Sequence, residues 1–458
     1  MNAIIFSAIW GVLMMFSGIF IKTKAVIRNL AITGAAILLL LNIAELSYHF
    51  ILFHVNTRGM LVFDSFGLLF NTIAFAAALI YLLASARDIE DVGVNQADYL
   101  ALIFFVLCGV SIASSFNTLL MLFLSIEIIS IPLYILTGSD KRNLKSNEAS
   151  LKYFLMGSFS TGIMLMGIAL IYGATGSFAL GNMSRQIIGF EPVLMAGLLL
   201  LLISMSFKVS AAPFHFWTPD VYDGAPTVFT SFMATIVKAA IFIAFVRLFD
   251  AAYGQALPKW RLTIAFIVAA TLFIGNITAV FQQSVKRMLA YSSIAQAGFM
   301  FFALFGYNEY SKDGIILYSA AYSLATIGIF AILIKMKDYT FDGYNGLAKQ
   351  QPLLAAVNTI FLLSLAGIPA TAGFFAKYYM LVAAVRNGTY LWLVIFAVLC
   401  AAVSAYYYFR VIQAMYFKDG DGQVKEASPA FKTILVIVAG LIIILGLFPQ
   451  LLTVHLYF

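Results

Sequence analysis

The chain has 458 residues, of which 63% are hydrophobic and only 10% are charged, whereas ordinary soluble domains have roughly 45–50% and 25%. This composition argues against a water-soluble globular fold and favours a protein surrounded by the lipid bilayer. The net charge of +7 is explained by basic loops at a membrane surface, so we expect no nucleic-acid partner.

Motifs that bind cofactors are missing from the sequence. Its two cysteines, Cys108 and Cys400, lie alone in separate apolar stretches, so we expect neither a metal site nor a disulfide framework. There is no GxGxxG, no GxxxxGKS/T and no cysteine cluster for iron and sulfur. We therefore expect no cofactor and no metal in this chain, and an energy source in a partner chain or an ion gradient.

Apolar stretches long enough to cross a membrane recur along almost the whole chain. A hydrocarbon core of about 30 Å needs about 20 apolar residues in one helix. The sequence therefore predicts an all-α membrane protein with about fourteen transmembrane helices. The predicted spans are 3–21, 28–48, 62–86, 98–115, 117–136, 150–174, 192–221, 226–249, 261–282, 288–306, 313–336, 352–386, 389–416 and 430–450.

Lysines and arginines fall mainly in the loops on one side of these spans. Lys22, Lys141, Lys286 and Lys337 belong to that side, and the other side has fewer basic residues, such as Arg58. Basic loops near span ends favour the cytoplasmic side. We therefore predict a multi-pass protein whose basic loops face the cytoplasm, or its organellar equivalent, and whose two termini both lie on the outer side.

Two of the predicted spans are too long for one straight helix. Residues 192–221 and 352–386 would extend about 45 Å and about 52 Å, beyond the hydrocarbon thickness of about 30 Å. Both contain residues that weaken or remove helical hydrogen bonds. These predicted helix breaks are Pro213 in the first span and Gly367, Pro369 and Gly373 in the second. Unwound backbone at membrane depth needs protein or water beside it, so each break indicates a polar interior.

The two broken helices are the seventh and the twelfth spans. Being five spans apart, they divide the chain into two five-helix repeats, 98–249 and 261–416, and an odd number of spans inverts the second repeat. A three-helix segment, 1–97, precedes the repeats, and one helix in 417–458 follows them. Inverted repeats place their ion sites near the bilayer midplane at interrupted helices.

Four ionisable side chains lie near the middle of predicted spans: Glu127, Lys208, Lys238 and Lys377. Each charge at the bilayer centre costs about 2.5–3.5 kcal/mol even on the lenient insertion scale, so folding alone does not require them. Burial lowers the pKa of a lysine in general, and a nearby carboxylate raises it. These four residues therefore indicate proton transfer.

We predict that Glu127 and Lys208 form a switchable pair, that Lys238 relays the proton, and that Lys377 passes it outward. Structural roles are also open for three of them. Glu127 is compatible with a static counter-ion, and Lys208 and Lys377 with satisfying carbonyls freed by the breaks. Lys238 lies about 18 Å from either end of its helix, too far to reach the headgroups.

Polar residues at similar depth are candidates for the proton path, and their role is less specific because small polar residues also join transmembrane helices. His215 follows the first break and is equally compatible with a structural hydrogen bond. The other candidates are Ser292, Ser293 and Gln296 in the tenth span and Ser323 and Thr326 in the eleventh.

Three further basic residues, Lys152, Arg247 and Arg410, lie close to predicted span ends, so we expect them to snorkel to the membrane interface. Asp220 and Asp223 in WTPDVYDGAPT read as a turn and a helix cap before Pro226, although they are also placed to shape proton uptake.

The stretch FKVSAAPFHFWTPDVYDGAPTVFTSFMATIVK, which begins at Phe207, resembles the seventh and eighth helices of antiporter-like subunit N of proton-pumping NADH:quinone oxidoreductase, respiratory complex I. KRMLAYSSIAQAGF resembles the junction of its ninth and tenth helices. The related subunits M and L usually carry PFH-W-PDA in place of WTPDVY. Subunit M usually has a glutamate where this chain has Lys377, which favours subunit N.

The resemblance implies fourteen helices with inverted repeats, and proton-translocating roles for Glu127, Lys208, Lys238 and Lys377. It implies partners in the membrane arm, especially antiporter-like subunit M and the small subunits K and J. NADH, FMN, iron-sulfur clusters and quinone are expected in partner subunits. The alternative function is a subunit of a multi-subunit Na+/H+ antiporter, and a third reading is a scaffold between pump modules.

Overall fold

The computed structural model of the chain describes residues 1–181, 192–252, 257–386, 388 and 390–454. Across these residues it is built from helices, and extended backbone pairs only in isolated bridges. The helices are α1 (Asn2–Phe20), α2 (Lys24–Tyr48), α3 (Ser65–Ile89), α4 (Gln96–Ser115), α5 (Leu119–Thr137), α6 (Leu144–Thr175), α7 (Pro192–Lys208), α8 (Trp217–Gly224), α9 (Thr227–Phe232), α10 (Lys238–Ala252), α11 (Leu257–Val280), α12 (Val285–Met300), α13 (Phe302–Phe305), α14 (Glu309–Lys335), α15 (Leu347–Gln350), α16 (Pro352–Ala366), α17 (Ala372–Val385), α18 (Leu391–Phe417), α19 (Pro429–Leu447) and α20 (Gln450–Thr453).

Twelve stretches of helix in the described residues are long and apolar enough to cross a membrane. The two remaining crossings are interrupted: α7 is followed by the short α8, and α16 by α17. Together they make the fourteen crossings that the sequence predicts, with the seventh and the twelfth broken. The predicted fold class is thereby confirmed.

The core surrounds α14, whose whole apolar window is buried inside the protein. This helix begins at a capping box, in which Asn308 and Ser311 satisfy each other's backbone N–H groups. Close packing depends on small residues: a Cβ at Gly328 would lie 2.3 Å from the ring of Phe361 on α16. By contrast, α1, α18 and α19 bury only a minority of their apolar windows, so their other faces are available to lipid.

Two equivalent backbone contacts relate the halves of the molecule. At the start of α5, the N–H of Leu119 donates to the carbonyl of Phe178, which follows α6 (2.9 Å). At the start of α12, the N–H of Val285 donates to the carbonyl of Tyr339, which follows α14 (2.7 Å). Because five crossings separate α5 from α12, these contacts lie on opposite sides of the membrane, as an inverted repeat requires. The exact boundaries 98–249 and 261–416 stay a prediction.

The first break is an irregular segment between α7 and α8 whose backbone groups find partners inside the protein. The N–H of Ala212 donates to the hydroxyl of Thr271 on α11 (2.9 Å), and the indole of Trp217 donates to the carbonyl of Phe207 (3.0 Å). The Ala212–Pro213 peptide is cis, and Ser210 has a left-handed φ of 66°. Pro213 therefore lies within unwound backbone, as predicted.

The second break runs from Gly367 to Thr371. Gly367 ends α16 with a left-handed φ of 83°, a conformation that glycine adopts without strain, and Pro369 follows in the turn. Gly373 was also predicted to break the helix, but it lies inside the first turn of α17. A Cβ there would approach the carbonyl oxygen of Ser364 to 1.8 Å, so this glycine permits the two half-helices to touch.

The basic residues expected to snorkel are instead held by protein partners. Arg247 forms an ion pair with Asp64 (2.8 Å) and donates to the carbonyl of Phe116 (2.8 Å). Arg410 donates to the carbonyls of Val280 and Gln282. These partners are distant in the sequence, so the two guanidinium groups tie helix ends together.

Lys152 and the two aspartates of the WTPDVYDG segment also differ from the expectation. Lys152 pairs with Glu148 (2.8 Å) and with Asp220 (3.0 Å), and Arg287 also contacts Asp220 (3.1 Å). Neither Asp220 nor Asp223 caps α9, which has Pro226 at its N-cap without a side-chain hydrogen bond. Asp220 instead joins α6, α8 and α12 through charge pairs.

Candidate functional site

Glu127 and Lys208 approach one another through a hydroxyl bridge. Thr161 on α6 donates its hydroxyl to Oε1 of Glu127 on α5 (2.8 Å), and Nζ of Lys208 donates to the same hydroxyl oxygen (3.2 Å). No direct ion pair joins the two charged groups in the part of the chain that the structure describes. Lys208 is buried, and Glu127 is half-buried. The sequence identified both ends of this arrangement and missed Thr161 between them.

Lys208 is the last residue of α7, directly before the first break. Its ammonium also donates to the hydroxyl of Ser130 on α5 (3.1 Å). The nearby carbonyl of Phe207 is occupied by the indole of Trp217. The partners of Lys208 are therefore hydroxyl groups, and the contacts give no support to the alternative that it satisfies freed carbonyls.

Lys238 begins α10 directly after a π-helical turn, Met233–Val237, and π turns are frequent at functional sites. Its side chain is buried, and Nζ donates to both the carbonyl and the hydroxyl of Ser293 on α12 (3.0 Å each). Ser293 and Glu127 lie equally far beyond the N-caps of their helices, Ser284 and Thr118. In the second repeat, a serine thus takes the position that the glutamate holds in the first.

Lys377 lies on α17 and reaches back across the second break. Its ammonium donates to the carbonyls of Leu365 (2.8 Å) and Ala366 (3.0 Å) at the end of α16, and it lies 4.8 Å from the ring centre of Phe299. These contacts match the structural alternative for Lys377, in which it satisfies carbonyls that the break leaves free. The same contacts are equally compatible with a lysine that exchanges a proton.

A buried polar network connects α12, α14, α16 and α18. The hydroxyls of Ser292 and Tyr408 are 2.5 Å apart. The amide of Gln296 donates to Tyr408 (3.1 Å) and to the carbonyl of Leu365 (3.0 Å), and its oxygen accepts from Tyr318. Since Leu365 is also a partner of Lys377, this network links α12 directly to the second break. The sequence identified Ser292 and Gln296 but missed both tyrosines.

The remaining candidates are buried in less connected surroundings. Ser323 and Thr326 lie on α14, and the hydroxyl of Thr326 has no hydrogen-bond partner among the described residues. His215 lies in the first break with its ring beside Phe216. None of these three joins Lys208 to Lys238 through a side-chain contact in the structure.

A small cavity of ≈ 10 Å³ lies beside Lys377 and is also lined by Gln296 and Tyr322. Its size is close to the minimum that one water molecule needs, and its lining offers polar partners. Elsewhere, within the ranges that the structure describes, no group of three or more His, Cys, Asp or Glu side chains is placed to hold a metal ion. The absence of a bound cofactor in this chain stays a prediction.

The broken helices, the buried lysines and the fourteen crossings define a polytopic helical membrane protein of the inverted-repeat class. Residues 116–404 match the family described as NADH:quinone oxidoreductase/Mrp antiporter, transmembrane. Within it, the chain belongs to the family of NADH-quinone oxidoreductase subunit N. It is 41% identical to that subunit from Cytophaga hutchinsonii, with 99% of this chain and 98% of the relative covered, and 37% identical to the one from Flavobacterium psychrophilum, with 98% and 99% covered.

Solved structures give the same fold. A chain in respiratory complex I from Thermus thermophilus with bound aureothin is similar at a TM-score of 0.85 and 32% identity, covering 98% of both chains. A chain in the Mrp complex from Dietzia sp. is similar at a TM-score of 0.84, covering 99% of this chain and 95% of that one. Its sequence identity is 18%, so this second likeness concerns the fold alone.

Proposed function

We propose that the chain translocates protons as a membrane-arm subunit of an NADH:quinone oxidoreductase, driven by redox chemistry in partner subunits. The observation that carries the proposal is that three buried lysines are held by hydroxyls and carbonyls, and that none has a carboxylate in direct contact among the described residues. Charged groups inside a membrane are stabilised by a partner charge or by backbone carbonyls. A lysine without a close carboxylate gives up its proton more readily, because no neighbouring anion stabilises its ammonium form.

In the first repeat, Thr161 mediates between the carboxylate and the lysine. Its single hydroxyl hydrogen has two acceptors in reach, Oε1 of Glu127 (2.8 Å) and the carbonyl of Gly157 (3.0 Å). Because a carboxylate stabilises an ammonium more strongly at short range, movement of Glu127 toward or away from Lys208 would change which protonation state is favoured. Glu127 and Lys208 thus form the switchable pair of the proposal.

Lys238, in the last helix of the first repeat, and Lys377, in the second repeat, lie at the two ends of the polar network. Lys238 binds Ser293, and the preceding residue, Ser292, contacts Tyr408. Gln296 extends the network to Leu365 beside Lys377. Hydroxyl groups and water pass protons because they donate and accept at once. We assign that role to Ser292 and Tyr408, and a positioning role to Gln296, with a water in the cavity at Lys377.

The step from Lys208 to Lys238 requires water, since no side-chain hydrogen bond joins their surroundings in the described part of the chain. Ser323, Thr326 and His215 stay candidates for lining this step. From Lys377 the proton would leave on the outer side. The proposal places the chain in the bacterial inner membrane with both termini on the periplasmic side.

The partners belong to the same proposal. NADH, FMN, iron-sulfur clusters and quinone are assigned to other subunits, and this chain acts as a non-redox translocase. Antiporter-like subunit M and the small subunits K and J are the expected neighbours. The identity of 41% to a subunit N over 99% of this chain supports this function over that of a Na+/H+ antiporter subunit.

The test is Lys238→Met in the assembled complex, reconstituted into vesicles. Methionine keeps the apolar stem of the side chain and removes the exchangeable proton. We expect proton translocation per NADH oxidised to fall while the complex stays intact on a native gel. Lys349→Met is the matched control, because Lys349 is exposed and pairs with Asp419 at the surface. Unchanged translocation by the Lys238 variant would remove the relay.

A further inference from the structure

A polar cavity of ≈ 630 Å³ opens on the side of the molecule that carries most basic loops. It lies between the end of α8, the start of α12 and the loop after α14. We call it the Lys286 cavity. Its lining includes Asp140, Asp223, Thr227, Lys286, Asp338 and Tyr339.

Lys286 is a fourth buried lysine, with 5% of its surface exposed, and the relay described above does not use it. Its ammonium donates to the carbonyls of Asp223 (2.8 Å) and Ala225 (2.7 Å) and lies 5.8 Å from the ring centre of Tyr339. These bonds use two of the three N–H groups of a lysine. The third remains available for another partner.

The wall formed by α12 leads from this cavity toward Lys238. Lys286 and Ser293 are seven residues apart on α12, so they lie on the same face, about 10 Å apart along the helix axis. Ser293 is the residue that binds Lys238. Between them on this face lies Ala290, whose side chain is small and buried.

The opposite wall is the helix Thr227–Asp250. It also carries hydroxyl groups between the cavity and Lys238. Thr227 lines the cavity, and its hydroxyl donates to Tyr339 (3.3 Å). One turn further on, the hydroxyl of Ser231 is fully buried and has no hydrogen-bond partner among the described residues. An unpartnered buried hydroxyl is unfavourable, and a water molecule beside it would supply the missing hydrogen bond. Lys238 follows on the same continuous helix, Thr227–Asp250.

We propose that the Lys286 cavity is the proton uptake site of this chain, and that protons pass from Lys286 to Lys238 between these two walls. The inference rests on the proposed function and adds its point of uptake. In each step, the ammonium of Lys286 gives one proton to a water beside Ser231, and this water passes one proton to the neutral amine of Lys238. The neutral amine of Lys286 then takes a proton from a hydronium ion that reaches the cavity from bulk water. One proton therefore moves from bulk water to Lys238, and Lys286 returns to its charged form.

Three aspartates and three lysines face this cavity. Hydrogen bonds from the hydroxyl and N–H of Thr340 hold the pKa of Asp338 below its usual range, so this carboxyl group is ionised at neutral pH. The other charged lining residues are Asp140, Asp223, Lys145, Lys286 and Lys337. Opposite charges therefore balance in the lining, which makes the space polar and favourable for water.

Water at Ser231 can be detected directly by thiol labelling. In the assembled complex, with Cys108 and Cys400 replaced by alanine, Ser231→Cys would be exposed to a small water-soluble methanethiosulfonate in inverted vesicles. Because only a hydrated thiol ionises and reacts, we expect labelling of this variant. Ala244→Cys, at a buried position further along the same helix, should stay unlabelled. An unlabelled Ser231→Cys would overturn the proposed path.

Lys286→Arg separates proton exchange from a structural role. Arginine retains donors for the carbonyls of Asp223 and Ala225 but does not release its proton. We expect the variant complex to assemble and to lose proton translocation per NADH oxidised, and Lys349→Arg to match the parent. If Lys286 only holds the two carbonyls, Lys286→Arg will translocate normally and the inference fails.

The two proposals fail in different ways. If Lys238→Met lowers translocation and Lys286→Arg does not, uptake through this cavity is wrong and the relay stands. If neither variant lowers translocation, the proposed function itself is wrong.

Discussion

At the level of single residues, the lysines of the proposed relay differ from other charged groups in the partners they have. Asp220, Asp64 and Asp419 each pair directly with a lysine or arginine at 2.6–3.1 Å. Lys208 is bound by two hydroxyl groups, and Lys238 is bound by the hydroxyl and the carbonyl of Ser293. Hydroxyl partners adapt when a lysine gains or loses its proton, because a hydroxyl changes from acceptor to donor by rotating one bond.

Thr161→Val removes the hydroxyl between Glu127 and Lys208 and keeps the shape of the side chain. Lys208 then retains only Ser130 as a partner, and an unsatisfied buried donor costs about 1–3 kcal/mol, more when charged. We expect lower proton translocation per NADH oxidised and a lower melting temperature of the complex. Thr161→Ser should restore both. Full activity of the valine variant would show that the bridge is not needed.

At the level of elements, the second broken helix depends on contact between its two halves. Gly373 brings α17 against the carbonyl of Ser364, and its N–H donates to the Ser364 hydroxyl (3.2 Å). Lys377 then reaches the carbonyls at the end of α16. The position of this lysine therefore follows from a missing Cβ four residues earlier.

Gly373→Ala would force α16 and α17 apart, since the new Cβ would lie 1.8 Å from a backbone oxygen. Overpacking of this kind costs about 1–3 kcal/mol or more. We expect reduced thermal stability and reduced translocation in the assembled complex. Gly440→Ala on α19 is the control, because its Cβ would meet nothing within 4 Å. Equal melting temperatures for the two variants would contradict this account.

On the scale of the whole molecule, ion pairs fasten the N-terminal helices to the rest of the chain. Asp88 at the end of α3 binds Lys335 at the end of α14 (2.6 Å), and both side chains are largely buried. At the other end of α3, Asp64 binds Arg247 of α10. The third helix is thus attached at both ends to helices of the two repeats.

Lys335→Met would leave Asp88 without its partner in a largely buried position. Breaking a buried pair by removing one member costs about 3–5 kcal/mol. We expect a lower melting temperature than for Asp88→Asn/Lys335→Met, in which neither charge remains. A double-mutant cycle read by thermal unfolding in detergent measures the difference. If the double variant is no more stable than Lys335→Met, the pair is not what holds α3 to α14.

The sequence was sufficient for the helices, the two breaks and the four charges of the proposed relay because each leaves a local signal. A proline at membrane depth or a lysine in an apolar span is visible without knowing its neighbours. Lys286 was assigned to a loop, but it is buried at the start of α12. Thr161 and Tyr408 leave no local signal, since hydroxyl residues are common in packed helices. Their importance lies in partners such as Glu127 and Ser292, which come from other helices.

The π-helical turn Met233–Val237 fixes the direction in which Lys238 points. A π turn holds one residue more than an α-helical turn in the same place. Without that residue, everything beyond it would rotate by about 100° around the helix axis. The ammonium would then face away from Ser293, although the sequence at position 238 and its surroundings would be unchanged. We therefore expect an insertion or deletion in this turn to abolish the contact between Lys238 and Ser293, as a substitution of Lys238 itself would.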